Sequence, residues 1–179
     1  MAIAMERDPR RCAAALAAPP ARRLIRLHRH SLSHLLLVGG TAEERECLAR
    51  AFHRGSPLRR GPFVRLEAER DALRLCCALV NVLCAVTRER HDDPLRASEG
   101  GTLFLDRVTH LSPAIQRLLF RVLASRPGFS AGPYFGRLAV GSDEPLEDLA
   151  AAGCFLPELF DILDKVRVEL PAVVGSGAR

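Results

Sequence analysis

The sequence has no long apolar run, no C-x-x-C pair and no internal repeat. Because a membrane-spanning helix needs about 20 consecutive apolar residues, such a helix is excluded. A chain of 179 residues needs no disulfide staples, so the six cysteines are expected to be reduced, buried thiols of a cytosolic protein. With 48% hydrophobic and 26% charged residues, the chain fits one globular domain with a proper core.

Lysine is also nearly absent: the chain has 25 arginines and one lysine. Arginine enrichment is therefore a property of the whole chain, and a single arginine is a weak functional indicator. The charge is uneven: residues 1–30 carry seven arginines against two acidic residues, whereas the other 149 residues carry 19 basic and 19 acidic ones. A basic segment on a neutral body predicts a solvated arm or a contact with nucleic acid or anionic lipid.

Aromatic residues are missing from this basic segment, so it has no side chains that stack on bases. Residues 1–31 are therefore expected to form a flexible arm, with nucleic-acid binding as the alternative and no membrane contact. Residues 13–18 are consistent with a short helix that Pro19 and Pro20 would end. Arg10-Arg11 ahead of a short alanine-rich run only loosely matches an export signal, which leaves the cytoplasm as the expected location.

Three histidines, His28, His30 and His34, lie close together in the sequence. Such a grouping also occurs in metal sites. No cysteine or aspartate accompanies these histidines at the spacing of a ligand set, so a polar cluster without a metal is the expectation.

Hydrophobic periodicity predicts five strands that alternate with helices. The predicted strands are 34–38, 62–66, 102–105, 137–141 and 166–170. The predicted helices are 42–54, 67–90, one from Ser112-Pro113 to the stop at Pro127-Gly128, 146–152 and 155–163. This alternation predicts an α/β fold, a three-layer parallel sheet of about five strands with helices on both faces.

The stretch from Gly100 to Asp106 consists of a glycine turn, a strand buried on both faces and a carboxylate at the strand's C-terminal end. Ligands of open parallel sheets bind at that end of the strands. An aspartate there often holds magnesium beside a nucleotide phosphate, so Asp106 is the candidate metal ligand. The next residue is Arg107, where a hydrolysing enzyme would want a second carboxylate.

A second stretch has the layout of a phosphate-binding loop. The first predicted strand ends at Gly39-Gly40-Thr41, and a helix follows with charged residues in its first turn. Strand, glycine turn and helix form the arrangement that cradles phosphate in nucleotide-binding proteins. The two stretches together predict either nucleotide chemistry or only its scaffold.

Longer strings carry a family resemblance. Residues 100–123, which read GGTLFLD and then LSPAIQRLLFRVL, resemble the second nucleotide motif and the following helix of the AAA+ domain in sigma-54-dependent transcription activators. Residues 48–64 resemble the helix after that family's phosphate loop and its second strand, and residues 148–171 resemble the segment that ends the large subdomain. The resemblance covers residues 32–171, with 172–179 as a tail, and implies the P-loop NTPase fold of the AAA+ class without its lid subdomain.

The resemblance also implies where a nucleotide would bind. The family's phosphate loop ends in Gly-Lys-Glu, and an ungapped alignment places Glu44, Arg45 and Glu46 there, with Gly39 and Gly40 at the start of the loop. A phosphate nest needs backbone N–H groups and a compact ammonium, whereas the carboxylates in this loop repel phosphate. Gly39, Gly40, Arg45 and Glu46 are therefore vestigial candidates for nucleotide binding.

Other functional positions of the family differ as well. Asp106 is kept, but the family's catalytic glutamate is replaced by Arg107 and its sensor asparagine by Asp143. Leu156 and Ile162 stand where the family has two arginines that reach into the neighbouring subunit's nucleotide. No catalytic residue is therefore assigned, and Asp106 and Asp143 complete the vestigial site, with Asp106 the candidate magnesium ligand.

The family's loop for contacting sigma factor, which carries Gly-Ala-Phe-Thr-Gly-Ala, has no counterpart in residues 73–98. The resemblance implies a non-hydrolysing pseudo-ATPase of transcription regulation. It would need no cofactor and would act by protein–protein interaction with a full-length sigma-54-dependent activator or its ring. The alternatives are a weak ATP-binding or ATPase domain that uses ATP and magnesium, and a nucleic-acid-binding protein that uses the basic arm.

Overall fold

The computed structural model describes residues 13, 16, 19–28, 30–84, 93–125 and 136–171. Its strands in these residues are β1 (Leu35–Val38), β2 (Phe63–Glu67), β3 (Thr102–Asp106), β4 (Arg137–Ser142) and β5 (Val166–Glu169). Its helices there are α1 (Pro19–Leu27), α2 (Ala42–Arg54), α3 (Ala72–Leu83), α4 (Pro94–Ala97), α5 (Pro113–Ala124), α6 (Leu146–Ala151) and α7 (Pro157–Leu163). Short 3₁₀ turns cover Pro57–Arg60 and Val108–His110.

The strands form one parallel sheet in the order β2-β3-β4-β1-β5. The predicted parallel α/β sheet with helices on both faces is thus confirmed. Register pairs Leu37 of β1 with Gly141 of β4, and Leu105 of β3 with Val140 of β4. Because parallel strands end at the same edge, this register brings the C-terminal ends of β1, β3 and β4 together.

Side-chain alternation along the strands divides the apolar residues into two cores. On β1, Leu36 and Val38 belong to the core that α3, α5, α6 and α7 cover, whereas Leu35 and Leu37 belong to the core under α1 and α2. The four residues of β1 are all buried. A continuous run of apolar residues is what a strand covered by helices on both faces requires.

Helices α2 and α5 begin where the sequence predicts because both have strong N-terminal caps. Ser112 Oγ accepts a hydrogen bond from the N–H of Ile115, and Pro113 occupies the first turn of α5. Helix α3 differs from its prediction: Glu67 is the last residue of β2, and the helix starts only at Ala72. The predicted continuation over 85–90 lies outside the described residues.

Pro94, which lies just beyond the predicted helix 67–90, starts the short helix α4. The side chain of Asp93 accepts hydrogen bonds from the N–H groups of Leu95 and Arg96, 2.9 and 3.2 Å away. An aspartate cap followed by a proline marks a helix start. The N–H groups of the first turn have no acceptor within the helix, so proline loses no hydrogen bond at this position.

The prediction of a flexible arm over residues 1–31 is wrong for Pro19–Leu27, which form α1. Ala21 is 2% exposed, and Leu24 and Ile25 pack against the core on the α2 side of the sheet. Pro19 and Pro20 do not end a helix there but lie in the first turn of one, where proline is tolerated. In the predicted helix 13–18, Ala13 and Leu16 are helical, and the other residues lie outside the described part of the chain.

The cysteines depart from the expectation of buried, reduced thiols. Cys76 and Cys77 are half-buried free thiols, Cys84 and Cys154 are exposed free thiols, and Cys47 is disulfide-bonded. In the part of the chain that the structure describes, no helix is long and apolar enough to cross a membrane. The same residues contain no group of three or more His, Cys, Asp or Glu side chains arranged to hold a metal ion.

Candidate functional site

The connection from β1 to α2 is a tight turn of three residues, Gly39, Gly40 and Thr41. Both glycines are in the left-handed region, with φ of 78° and 61°. A Cβ on Gly39 would lie 2.7 Å from the carbonyl oxygen of Leu170, so the close approach of β5 also requires glycine there. The N–H of Gly39 donates to the carbonyl of Ser142, which ties the turn to the end of β4.

Helix α2 starts at Ala42, earlier than a phosphate loop would allow, and its N-terminus is closed by the chain's own carboxylate. Thr41 Oγ1 accepts from the N–H of Glu44, and Glu44 Oε2 accepts from the N–H of Thr41, 2.7 Å away. This capping box uses two of the backbone donors that a phosphate nest would offer. Residues 42–44, which the alignment places in the nest, are instead the first helical turn.

Arg45 extends from this first turn into the interior, where it meets Asp106 at the end of β3. Arg45 Nε lies 2.7 Å from Asp106 Oδ1, and the side chains are 1% and 0% exposed. The Nη1 group of Arg45 also donates to the carbonyls of Gly39 and Gly40 at 3.0 and 3.1 Å. The carboxylate predicted to hold magnesium is therefore already bound by a cation of the chain.

Asp143, at the end of β4, extends this ion pair towards the surface. Its Oδ1 lies 2.8 Å from Arg45 Nη2, and its Oδ2 accepts from Arg107 Nε at 3.3 Å. Arg107 also reaches Glu67 at the end of β2, with Nη1 3.5 Å from Oε1. We call Asp106, Arg45, Asp143, Arg107 and Glu67 the charge network, in which carboxylates and guanidinium groups alternate.

Arg107 takes part in the network from an unusual backbone position. Its φ of 56° and ψ of 45° make it the one non-glycine residue with positive φ among the described residues. A left-handed conformation costs a residue with a Cβ about 1–2 kcal/mol. The carboxylates of Asp143 and Glu67 stabilise its charge and raise the pKa of the guanidinium, with the Asp143 hydrogen bond as the main cause.

A cleft of about 520 Å³ opens beside the glycine turn, over the ends of β1, β4 and β5. Its charged lining residues are Asp143, Glu147, Glu169 and Arg167. Arg167 is already held by Glu147, with Nη2 2.6 Å from Oε2, and this hydrogen bond lowers the pKa of Glu147. A cleft of this volume is large enough for a ligand, but three carboxylates against one paired arginine disfavour an anion.

The structure therefore brings five of the six predicted nucleotide-site residues together: Gly39, Gly40, Arg45, Asp106 and Asp143. Glu46 lies elsewhere, because its carboxylate pairs with Arg50 at 2.8 Å and with Arg65 of β2 at 3.4 Å. Leu156 and Ile162, at the positions of the family's arginines, are partly buried and pack against the core under α5 and α7.

Sequence reasoning missed the mutual pairing of the replaced residues. It treated Arg107 as the replacement of a catalytic glutamate and Asp143 as the replacement of a sensor asparagine, whereas the two side chains bind each other. The signal was present, because two arginines and two aspartates occupy positions predicted to meet at one edge of the sheet. Arginine and aspartate side chains that meet at one edge of a sheet are expected to form ion pairs with each other.

Comparison with known proteins identifies the family of the chain. The sequence profile of the Sigma-54 interaction domain matches residues 17–169. The nitrogen assimilation regulatory protein NtrX of Azorhizobium caulinodans is 34% identical over 145 residues, which are 78% of this chain and 32% of that protein. The Nif-specific regulatory protein of Herbaspirillum seropedicae is 30% identical over 158 residues, covering 79% of this chain and 28% of that protein. The chain thus spans about a third of the length of these relatives.

Solved structures give the same fold. NtrX from Brucella abortus in complex with ATP superimposes with a TM-score of 0.68 and 26% identity, over 86% of this chain and 36% of that one. The P-loop NTPase domain of a sigma-54 activator from E. coli superimposes with a TM-score of 0.57 and 24% identity. That comparison covers 78% of this chain and 98% of the other, and supports the fold alone.

Proposed function

Because the chain belongs to the Sigma-54 interaction domain family, we propose that it acts in transcription regulation as a non-hydrolysing member of that family. It works by protein–protein interaction with a full-length sigma-54-dependent activator. The observation that carries this proposal is the buried ion pair between Arg45 and Asp106. This pair occupies the position at which nucleotide and magnesium would need their two principal protein partners.

The residues of the site do not fit magnesium and ATP. Magnesium would have to displace Arg45 from Asp106, and breaking a buried ion pair costs about 3–5 kcal/mol. The phosphates would also meet a helix N-terminus that Glu44 already caps, beside a cleft rich in carboxylates. A site with these features disfavours both ATP and magnesium. In addition, Arg107 cannot act as a base for an attacking water.

Interaction with a related subunit follows from what the chain keeps. The parallel sheet and the family match over residues 17–169 support docking on a related subunit, because related subunits share this fold. Leu156 and Ile162 supply no arginine to a neighbour's nucleotide. A subunit that takes a place in a ring without a nucleotide site or a trans-acting arginine lowers the activity of that ring. Inhibition is therefore the expected effect.

The test uses the full chain and a purified sigma-54-dependent activator from the same organism. The chain alone should show no ATP turnover, and adding it should lower the activator's ATPase rate until the effect saturates. Mixed oligomers should appear by native mass spectrometry over the same concentration range. An equal amount of an unrelated protein of similar size and charge serves as the control for nonspecific effects.

Three outcomes contradict the proposal. Turnover by the chain alone that disappears in the Asp106→Ala variant would make it an ATPase. An unchanged activator rate with no mixed oligomer, for every sigma-54-dependent activator of the organism, would remove the protein–protein role. Inhibition that persists when the activator is replaced by an unrelated ATPase would make the effect nonspecific.

A further inference from the structure

A second cleft, of about 600 Å³, lies between α1 and the connection from α2 to β2, away from the charge network. Arg22 and Arg26 line it from α1, Arg54 lines it from the end of α2, and Arg59 lines it from the 3₁₀ turn that follows. His30 contributes to the same lining. We call this the basic cleft. Its position at the end of α2 places it at the opposite edge of the sheet from Asp106.

The four arginines of the basic cleft share two properties. Each is exposed, and among the residues that the structure describes no carboxylate forms an ion pair with any of them. Arg22 and Arg26 are four residues apart on α1 and therefore lie on one face of the helix. Elsewhere in the chain, arginines such as Arg50, Arg65 and Arg167 pair with nearby carboxylates.

The interior behind the basic cleft is positively charged as well. Arg137 is 2% exposed and donates to the carbonyls of Ser31 and Phe52, and its Nε has no hydrogen-bond partner within the described structure. Its guanidinium therefore adds charge that no carboxylate of the described residues offsets. The pKa of His53 is lowered, first by burial and then by the charges of Arg137, Arg50 and Arg54.

Stabilisation of helix ends accounts for only part of this arrangement. Arg26 and Arg54 lie in the last turns of α1 and α2, where a positive charge is favourable against the helix dipole. Arg22 has no such position, and Arg59 lies at the end of a 3₁₀ segment of only four residues. Convergence of four guanidinium groups on one cleft is unfavourable in the free protein and becomes favourable when an anion with several charges binds there.

We propose that the basic cleft binds the sugar–phosphate backbone of nucleic acid, without sequence preference. Guanidinium groups match phosphate in shape and charge. No Phe, Tyr or Trp lines the cleft, so stacking of bases is limited to the His30 ring and contact is chiefly with the backbone. An acidic peptide fits less well, because Ile25 and Pro57 are small apolar anchors for a protein partner. The binding element is a folded helix and loop rather than a flexible arm.

The test measures binding of a short fluorescent DNA duplex to the full chain over a series of salt concentrations. The logarithm of the binding constant should fall with the logarithm of salt concentration by about 0.9 for each arginine that contacts a phosphate. The double variant Arg22→Gln with Arg26→Gln should weaken binding and flatten this slope by about 1.8. Because these side chains are exposed, the variant should lose only the small helix-end contribution of Arg26 and should unfold cooperatively like the wild-type protein.

Arg117→Gln with Arg121→Gln is the matched control. These arginines are also exposed and four residues apart, but they lie on α5, which covers the other face of the sheet. The control variant should keep both the affinity and the slope of the wild-type chain. Equal losses in the two double variants, or no binding at low salt, would overturn the proposal. Displacement of the duplex by polyglutamate as readily as by unlabelled duplex would assign the cleft to an acidic protein instead.

Discussion

Arg45 Nε and Asp106 Oδ1 lie 2.7 Å apart in the interior of the protein, although the two residues are 61 positions apart in the chain. Neither side chain is more than 1% exposed. Removing one partner from such a pair leaves the other charge buried without compensation, which is far more costly than losing a surface ion pair. The pair is therefore a structural element of the domain as well as the feature that decides its chemistry.

Asp106→Asn should lower the free energy of unfolding by about 3–5 kcal/mol, because Arg45 would lose its buried counter-charge while the volume of the side chain is kept. Chemical denaturation measures this change. Asp143→Asn is the control, since Asp143 is 38% exposed and its loss should cost only about 1 kcal/mol. Equal effects of the two substitutions would show that the buried pair is not the stronger interaction.

Magnesium and ATP should leave the thermal unfolding midpoint unchanged. A ligand present at a hundred times its dissociation constant stabilises a protein by about 2.7 kcal/mol, which shifts the midpoint by several degrees. An ATP-binding member of the same family, measured in the same buffer, provides the positive control. A shift that depends on magnesium and saturates with ATP would contradict the proposed loss of nucleotide binding.

Thr41→Ala should destabilise the protein by about 1 kcal/mol, because the N–H of Glu44 loses its acceptor at the start of α2. Thr41→Ser keeps the hydroxyl and should restore most of the stability. Urea denaturation of the three proteins makes the comparison. If serine is as harmful as alanine, the capping box does not hold the N-terminus of α2.

Gly100 and Gly101 should respond differently to alanine. Gly100 has a φ of 64°, and a Cβ added there would meet no atom within 4 Å, so Gly100→Ala should cost only the left-handed strain of about 1 kcal/mol. A Cβ on Gly101 would lie 1.9 Å from the carbonyl oxygen of Pro62, so Gly101→Ala should cost about 3 kcal/mol by forcing β2 and β3 apart. Denaturation of the two variants tests this order, and a larger loss for Gly100→Ala would contradict it.

His53 should make the protein less stable in mild acid. Its pKa in the folded state is lowered from the ordinary value of 6.5, chiefly by burial, so the unfolded chain binds a proton more readily. Stability should therefore be complete above pH 6.5 and fall as the pH drops below that value. Thermal unfolding of wild-type protein and His53→Gln at pH 8 and pH 5.5 should show a smaller pH effect in the variant. A pH effect of equal size in both would exclude His53 as the cause.

The sheet could be predicted because its three central strands, β3, β4 and β1, are buried throughout and each lies next to a glycine. The run of β1 stops at Gly39, and β3 follows the Gly100-Gly101 turn, so the boundaries are marked in the sequence. Helix α1 could not be recognised in the same way. Pro19 and Pro20 signal a helix end as well as a helix start, and only the packing of Ala21 against the core distinguishes the two.

The candidate site could be predicted in position but not in its contacts. Its residues follow β1, β3 and β4, and the parallel register alone brings Gly39, Asp106 and Asp143 to one edge. Which charges pair depends on side-chain reach and burial, and the sequence contains no direct record of either. Glu46 illustrates the limit, because it follows Arg45 directly and nevertheless turns away from the site to Arg50 and Arg65.

The charge network also makes the present state of the domain hard to reverse in evolution. Arg45 binds Asp106, Asp143 and two backbone carbonyls at once. A lysine has a single ammonium group with three N–H donors and cannot replace all of these contacts. A single substitution at Arg45, Asp143 or Arg107 leaves a charge without its partner, so each single step lowers stability. Several replacements would therefore have to arise together to change this arrangement without a less stable intermediate.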